Sequence, residues 1–249
     1  MLPIFQSHYS IGRSILTLEK PKDTVENGPD SIVSLCLTNK FKEIILVDNN
    51  MSGFLQGYVN VKENNLNYVF GLKTNICNDI ANKTDESREK TSKIIIFIKN
   101  TAGYKDLLKI YSKAATDGFY YEPRLDYKEL NELWTENLLL AIPFYDSFIF
   151  NNTLRICSCI PDFSQIKPTF FIEDQNLPFD EIIKEKILEF AATNSYDILN
   201  VHSIYYNKKD DFKAYLTLRC INKRTSLDRP NLDHMVSDSF CLEEYLNRI

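Results

Sequence analysis

Seven short apolar runs, separated by stretches of helical spacing, constrain this chain of 249 residues more than any other feature. They fall at residues 4–5, 43–48, 67–72, 93–99, 137–142, 168–172 and 197–201. Each is rich in β-branched or aromatic side chains and bounded by polar residues, the pattern of strands buried on both faces. Between them, Ile32, Leu35, Cys36 and Asn39 recur at helical spacing, as do Leu107, Leu108, Tyr111 and Ala115. Residues 179–193 are the clearest case, with Ile182, Ile183, Ile187, Leu188 and Phe190 apolar and Glu and Lys elsewhere. Strand-helix alternation repeated seven times implies a parallel α/β sheet, and at this length a closed barrel. The charged stretch 82–92 reads as a surface loop. No repeat or linker divides the chain, so residues 1–249 are expected to form a single domain.

Composition narrows the function classes. Apolar residues make up 44% and charged residues 25%, which excludes wholesale disorder. The net charge of -5 excludes a generally basic nucleic-acid binder. No apolar run approaches the ~20 residues that span a bilayer, and the N-terminus lacks the pattern of a secretory signal. A soluble cytoplasmic protein with no membrane association is expected. Of the six cysteines, only Cys157 and Cys159 are close together, with no second pair or histidines at metal-site spacing. They read as free thiols. Gly-rich phosphate loops and the Gly-x-Ser-x-Gly elbow are absent. The aromatic groups Phe119 to Tyr121, Phe170-Phe171 and Tyr205-Tyr206 could stack on bases, but at 12% aromatics they read as packing residues.

Several collinear stretches carry a resemblance. Asn100-Thr-Ala-Gly-Tyr104 opens a helical segment, and Gly118-Phe-Tyr-Tyr-Glu-Pro-Arg-Leu-Asp126 follows it. Gln6-Ser-His-Tyr-Ser10 stands at the start, Val47-Asp-Asn-Asn-Met-Ser-Gly53 after the second run, and Arg224-Thr-Ser-Leu-Asp-Arg-Pro-Asn231 late in the chain. Together they resemble the PHP (polymerase and histidinol phosphatase) domain, in the version at the N-terminus of bacterial DNA polymerase III alpha subunits. The resemblance implies a distorted TIM-like barrel of seven β/α units.

It also implies a chemistry, and where that chemistry fails. Active PHP domains gather histidines and carboxylates at strand ends around divalent metals that activate water. Here the opening His-x-His falls on Ile4 and Gln6. Asp48 is retained, while the histidine beside it is replaced by Asn49 or deleted. The remaining ligand positions fall on Lys73, Lys93, Phe144, Ser203 and Tyr205. Ammonium and phenyl groups cannot ligate, so this degenerate pocket is expected to hold no metal. A slipped register would place Asn200 and His202 at the late positions. With His8 and Asp48, that gives a remodelled site for zinc or manganese as the alternative. His234 has no ligand-like company. Lys73 and Lys93 are cations at former ligand positions, and either is expected to take the metal's place as the partner of Asp48.

The functional expectation follows from the resemblance. It is a non-catalytic, replication-associated PHP-like module, a pseudo-phosphoesterase acting in structure or protein interaction. Its implied partners are a DNA polymerase or a proofreading exonuclease subunit, with an indirect association with DNA. The alternative is a metal-dependent phosphoesterase or 3'-5' exonuclease using the remodelled site. Residues 240–246 resemble the end of the family's domain, and no palm or fingers sequence follows. The chain is therefore expected to be either a polymerase fragment or a free-standing PHP protein.

Overall fold

The computed structural model describes residues 1–26, 28–154, 161–227 and 237–249. Cys157, Cys159, His234 and the second half of the late Arg224 motif, Asp228 to Asn231, lie outside the described residues. All seven apolar runs are strands: β1 (Leu2–Phe5), β2 (Glu43–Asp48), β3 (Asn67–Cys77), β4 (Ser92–Ile98), β6 (Leu138–Ile142), β7 (Thr169–Ile172) and β8 (Asp197–Ile204). An eighth strand, β5 (Arg124–Asp126), has only three residues and charged ends, so no apolar run announced it. The helices between them are α1 (Ile32–Thr38), α2 (Phe54–Glu63), α3 (Asp85–Glu89), α4 (Thr101–Ala115), α5 (Tyr127–Leu133), α6 (Phe148–Leu154) and α7 (Asp180–Asn194). After β8 come α8 (Phe212–Lys223) and α9 (Leu242–Arg248). Among the described residues, no helix is long and apolar enough to cross a membrane.

The strands form one mixed sheet with hydrogen-bonded order β2-β1-β8-β7-β6-β4-β3-β5, and β2 also pairs with β3. That last pairing closes seven strands into a barrel, with β5 attached outside the ring through β3. The fold is therefore α/β, with the closed strand order expected of a distorted TIM-like barrel. It departs from the all-parallel expectation at β4, which runs antiparallel to both β3 and β6. The connection of residues 78–91 carries only the five-residue α3, the shortest α-helix among the described residues.

The chain divides into two compact units. The first comprises Met1–Phe70, Glu173–Asp180 and Asn200–Ile249. In it β1 pairs in parallel with β2 and with β8, and Phe5, Ile32, Val33, Leu46 and Phe70 are buried. The second comprises Gly71–Ile172 and Glu181–Leu199. Its core is an aromatic cluster in which Phe170 lies 5.7 Å from both Phe190 and Tyr196, and Phe148 lies 5.3 Å from Phe190.

The sequence motifs after residue 99 have structural causes in the second unit. Asn100 caps α4, its side chain accepting a hydrogen bond from the Gly103 amide at 2.9 Å. Gly103 is required because a Cβ there would stand 2.4 Å from the Asn137 carbonyl oxygen. Asp126 caps α5 through the Glu129 amide at 2.8 Å. A Cβ on Gly118 would meet the Arg124 carbonyl oxygen at 1.9 Å, so that approach also admits only glycine. Arg124 is fully buried, and its side chain donates to the Gly118, Ile80 and Asn82 carbonyls and to the Ser87 hydroxyl at 3.2–3.3 Å. One guanidinium thus ties the segment around α3 to the turn that precedes β5. Arg124→Lys keeps the charge and loses the fork of donors. It should lower unfolding free energy by roughly 2–4 kcal/mol, measured by urea titration at neutral pH.

Candidate functional site

In the first unit, β1 lies between β2 and β8 with Phe5 opposite Leu46 and Ile4 opposite Ser203. Period-two alternation puts Ile4, Gln6, Ser203 and Tyr205 on one face and His202 on the other. Asp48 ends β2 two residues past Leu46, on the side of Phe5 and Ser7. Asp48 is fully buried. It accepts hydrogen bonds from the Ser7 amide at 2.9 Å, the Ser7 hydroxyl at 2.6 Å and the Ser10 hydroxyl at 2.8 Å. The Ser10 oxygen in turn accepts from the Asn49 amide at 2.9 Å. Burial raises the Asp48 carboxyl above the usual carboxylate range, and the serine hydrogen bonds work against that shift.

A second buried carboxylate escaped the sequence reading. Glu173, the residue after β7, accepts from the Ser203 amide and the Ser203 hydroxyl, both at 2.9 Å, and from the Gln175 side chain at 3.1 Å. Its signal was an acidic residue directly following an apolar run, the same signal that marks Asp48. Ser7 and Ser10 stand in the opening motif with no role assigned to them, because hydroxyls carry weight only once the buried acid beside them is known.

The other sequence candidates are placed as follows. Ile4 is buried, and the Gln6 amide group reaches Asn49 at 3.4 Å. Tyr205 stacks between Phe240 at 5.2 Å and Tyr215 at 5.7 Å, and burial pushes its hydroxyl pKa up. His8 is exposed, its ring 4.3 Å from that of Tyr9. His202 is fully buried against α9, with Nε2 3.2 Å from the Cys241 carbonyl oxygen and its ring 5.7 Å from Tyr245.

In the second unit, the Lys73 ammonium lies 3.5 Å from the Asp146 carboxylate and the Lys93 ammonium 4.0 Å from that of Glu122. The Lys93 amide donates to the Asp146 carbonyl at 2.7 Å, and the Asn75 side chain to Glu122 at 2.8 Å. Phe144 is fully buried, edge-on to Tyr145 at 4.8 Å. The expected lysine-Asp48 pair is corrected here. Asp48 is bonded by serine donors, and each lysine pairs with an acid of its own unit that the sequence did not single out.

The donor chemistry does not fit a metal cluster of the family's kind. Among the described residues, no three histidine, cysteine, aspartate or glutamate side chains gather where they could hold an ion. The remodelled set of His8, Asp48 and His202 is not brought together, since His202 faces α9 and His8 faces solvent. Cys36, Cys77, Cys220 and Cys241 are buried as thiols.

His202 yields a pH prediction. Burial lowers its pKa from 6.5 to about 4. The unfolded chain therefore binds the proton first, so stability is complete above pH 6.5 and is lost as pH falls from 6.5 toward 4. The loss between pH 7 and pH 5 should be about 2 kcal/mol. Thermal melts of wild type and His202→Gln across that range should show it, the variant lacking this component.

Comparisons place the chain among known proteins. The profile of the PHP domain matches residues 25–196. The chain is 32% identical over 218 residues to the DNA polymerase III alpha subunit of Helicobacter pylori (strain ATCC 700392 / 26695), covering 80% of this chain and 18% of that protein. The same subunit of Rickettsia felis is 25% identical over 241 residues, covering 91% and 18%. That of Thermus aquaticus is 29% identical over 157 residues, covering 59% and 13%. The chain thus spans less than a fifth of the length of these relatives. A solved structure from Bifidobacterium adolescentis, assigned provisionally to the metal-dependent phosphoesterases, aligns with a TM-score of 0.47 at 9% identity, covering 80% of this chain and 86% of that one.

Proposed function

The chain belongs to the PHP domain family, and from that membership we propose that it is a non-catalytic PHP module of the replication machinery, serving as a structural or protein-docking part. One observation carries the reading. By the resemblance, the family's ligand positions fall on Ile4, Gln6, Lys73, Lys93, Phe144, Ser203 and Tyr205, and the one carboxylate it retains, Asp48, is engaged by serine donors. Water activation in this family requires imidazole and carboxylate lone pairs converging on an ion. An alkyl chain, two ammonium groups and a buried phenyl ring supply none.

The replication context rests on the DNA polymerase III alpha relatives. A packing or docking role needs only the barrel surface, so it tolerates the loss of ligands. The fitting partners are a polymerase body or a proofreading exonuclease subunit, with DNA reached through them.

The test is enzymatic. Incubated with manganese or zinc, the chain should release no nucleotides from single-stranded DNA and no phosphate from aryl phosphates, and Asp48→Asn should leave that background unchanged. Manganese-dependent release abolished by Asp48→Asn would establish the phosphoesterase instead. Mixed with a proofreading exonuclease subunit from the same source, the chain should co-elute with it on a sizing column.

A further inference from the structure

Carboxylates removed from water need a compensating charge or a full set of donors. In a metal-holding pocket the cation supplies the compensation. The first unit meets the same requirement twice with one local geometry. Ser7 grips Asp48 with its amide on one carboxylate oxygen and its hydroxyl on the other, and the Ser10 hydroxyl adds a third donor. Ser203 grips Glu173 in the same two-point manner, and the Gln175 side chain adds the third. All six of these residues are buried. The two clamps are carried by neighbouring strands. One links the end of β2 to the residue after Gln6, and the other links the residue after β7 to β8.

We propose that this pair of serine clamps has taken over the structural task of the family's metal ions, joining the strand ends through hydroxyl and amide donors and occupying the lone pairs a divalent cation would use. Each carboxylate offers about four acceptor sites. Three donors engage Asp48, two of them on one oxygen, and at least three engage Glu173 in the same pattern. A cation entering here would have to displace short buried hydrogen bonds, and among the described residues no three histidine, cysteine, aspartate or glutamate side chains gather to hold it. The inference concerns what holds the strand ends and is separate from what the module does in replication.

The experiment is thermal unfolding of the full chain with a chelator and with millimolar manganese or zinc. Neither addition should move the melting temperature by more than about 2 °C. Ser7→Ala and Ser203→Ala should each lower it by roughly 4–10 °C, because each leaves a buried carboxylate short of two-point support. Combining Ser7→Ala with Asp48→Asn should recover about half of that loss. Asp48→Asn should give no recovery in the Ser203→Ala background, since the second clamp grips a different acid. If Ser7→Ala alone fails to fold, recovery of a folded chain in the double variant supports the clamp by the same logic. Two results would overturn the proposal: stabilisation of wild type by manganese that Asp48→Asn removes, or melting temperatures unchanged by both serine substitutions. A chain that is metal-insensitive in melting yet active as a nuclease would sink the proposed function and leave the clamps standing. One stabilised by metal yet inactive would do the reverse.

Discussion

A charged group taken out of water must be surrounded by groups that answer it, and this constraint organises both units. In the second, the Arg124 guanidinium is enclosed by backbone carbonyls and the Ser87 hydroxyl, and holding those acceptors in place fixes the path of the chain from Ile80 to Ser87. In the first, Asp48 and Glu173 are answered by serines. Neutral donors and acceptors suffice because several converge on each charge, each bond to an ion contributing about twice what a neutral pair does. The lysines at former ligand positions follow the same rule more loosely, half-buried and facing Asp146 and Glu122.

The fold was legible because its signals are local. The apolar runs that became β2, β4 and β6 are continuous enough to be read without a partner, and the capping and close-approach roles of Asn100, Gly103, Gly118 and Asp126 leave fixed residues at fixed spacing. Strand direction was not legible. An apolar run such as residues 93–99 reads the same in both directions, and only its pairing with β3 and β6 shows that β4 turns back. β5 escaped because three residues ending in Arg and Asp carry no periodicity.

The site was half legible. The resemblance sets Ile4 and Gln6 where the family carries imidazoles and Lys73 where it carries a carboxylate, and those residue types can be read one by one. What replaced them cannot, because replacement is a matter of proximity. Ser7 and Ser203 stand 196 positions apart in sequence, yet β1 and β8 are paired neighbours, and nothing in either segment signals the other. The lysine-Asp48 pair failed for the same reason. Charge complementarity named a sensible partner, while distance within each unit chose Asp146, Glu122 and the serines.

The reversed direction of β4 has a consequence for where this chain can be altered. In a strictly alternating βα barrel each strand contributes one end to the functional rim, and its other end is tied into the outer helices. Because β4 returns antiparallel, it places its entry, Lys93, opposite Asn75 near the exit of β3. The chain between those two points joins antiparallel neighbours and owes no crossover to the outer helices. Residues 78–91 can therefore lengthen, shorten or change charge without re-registering the hydrogen-bonded ladders on either side, provided the acceptors that enclose Arg124 are kept. The exposed positions of that connection, such as Lys83 and Glu86, are practical ones for attaching a label.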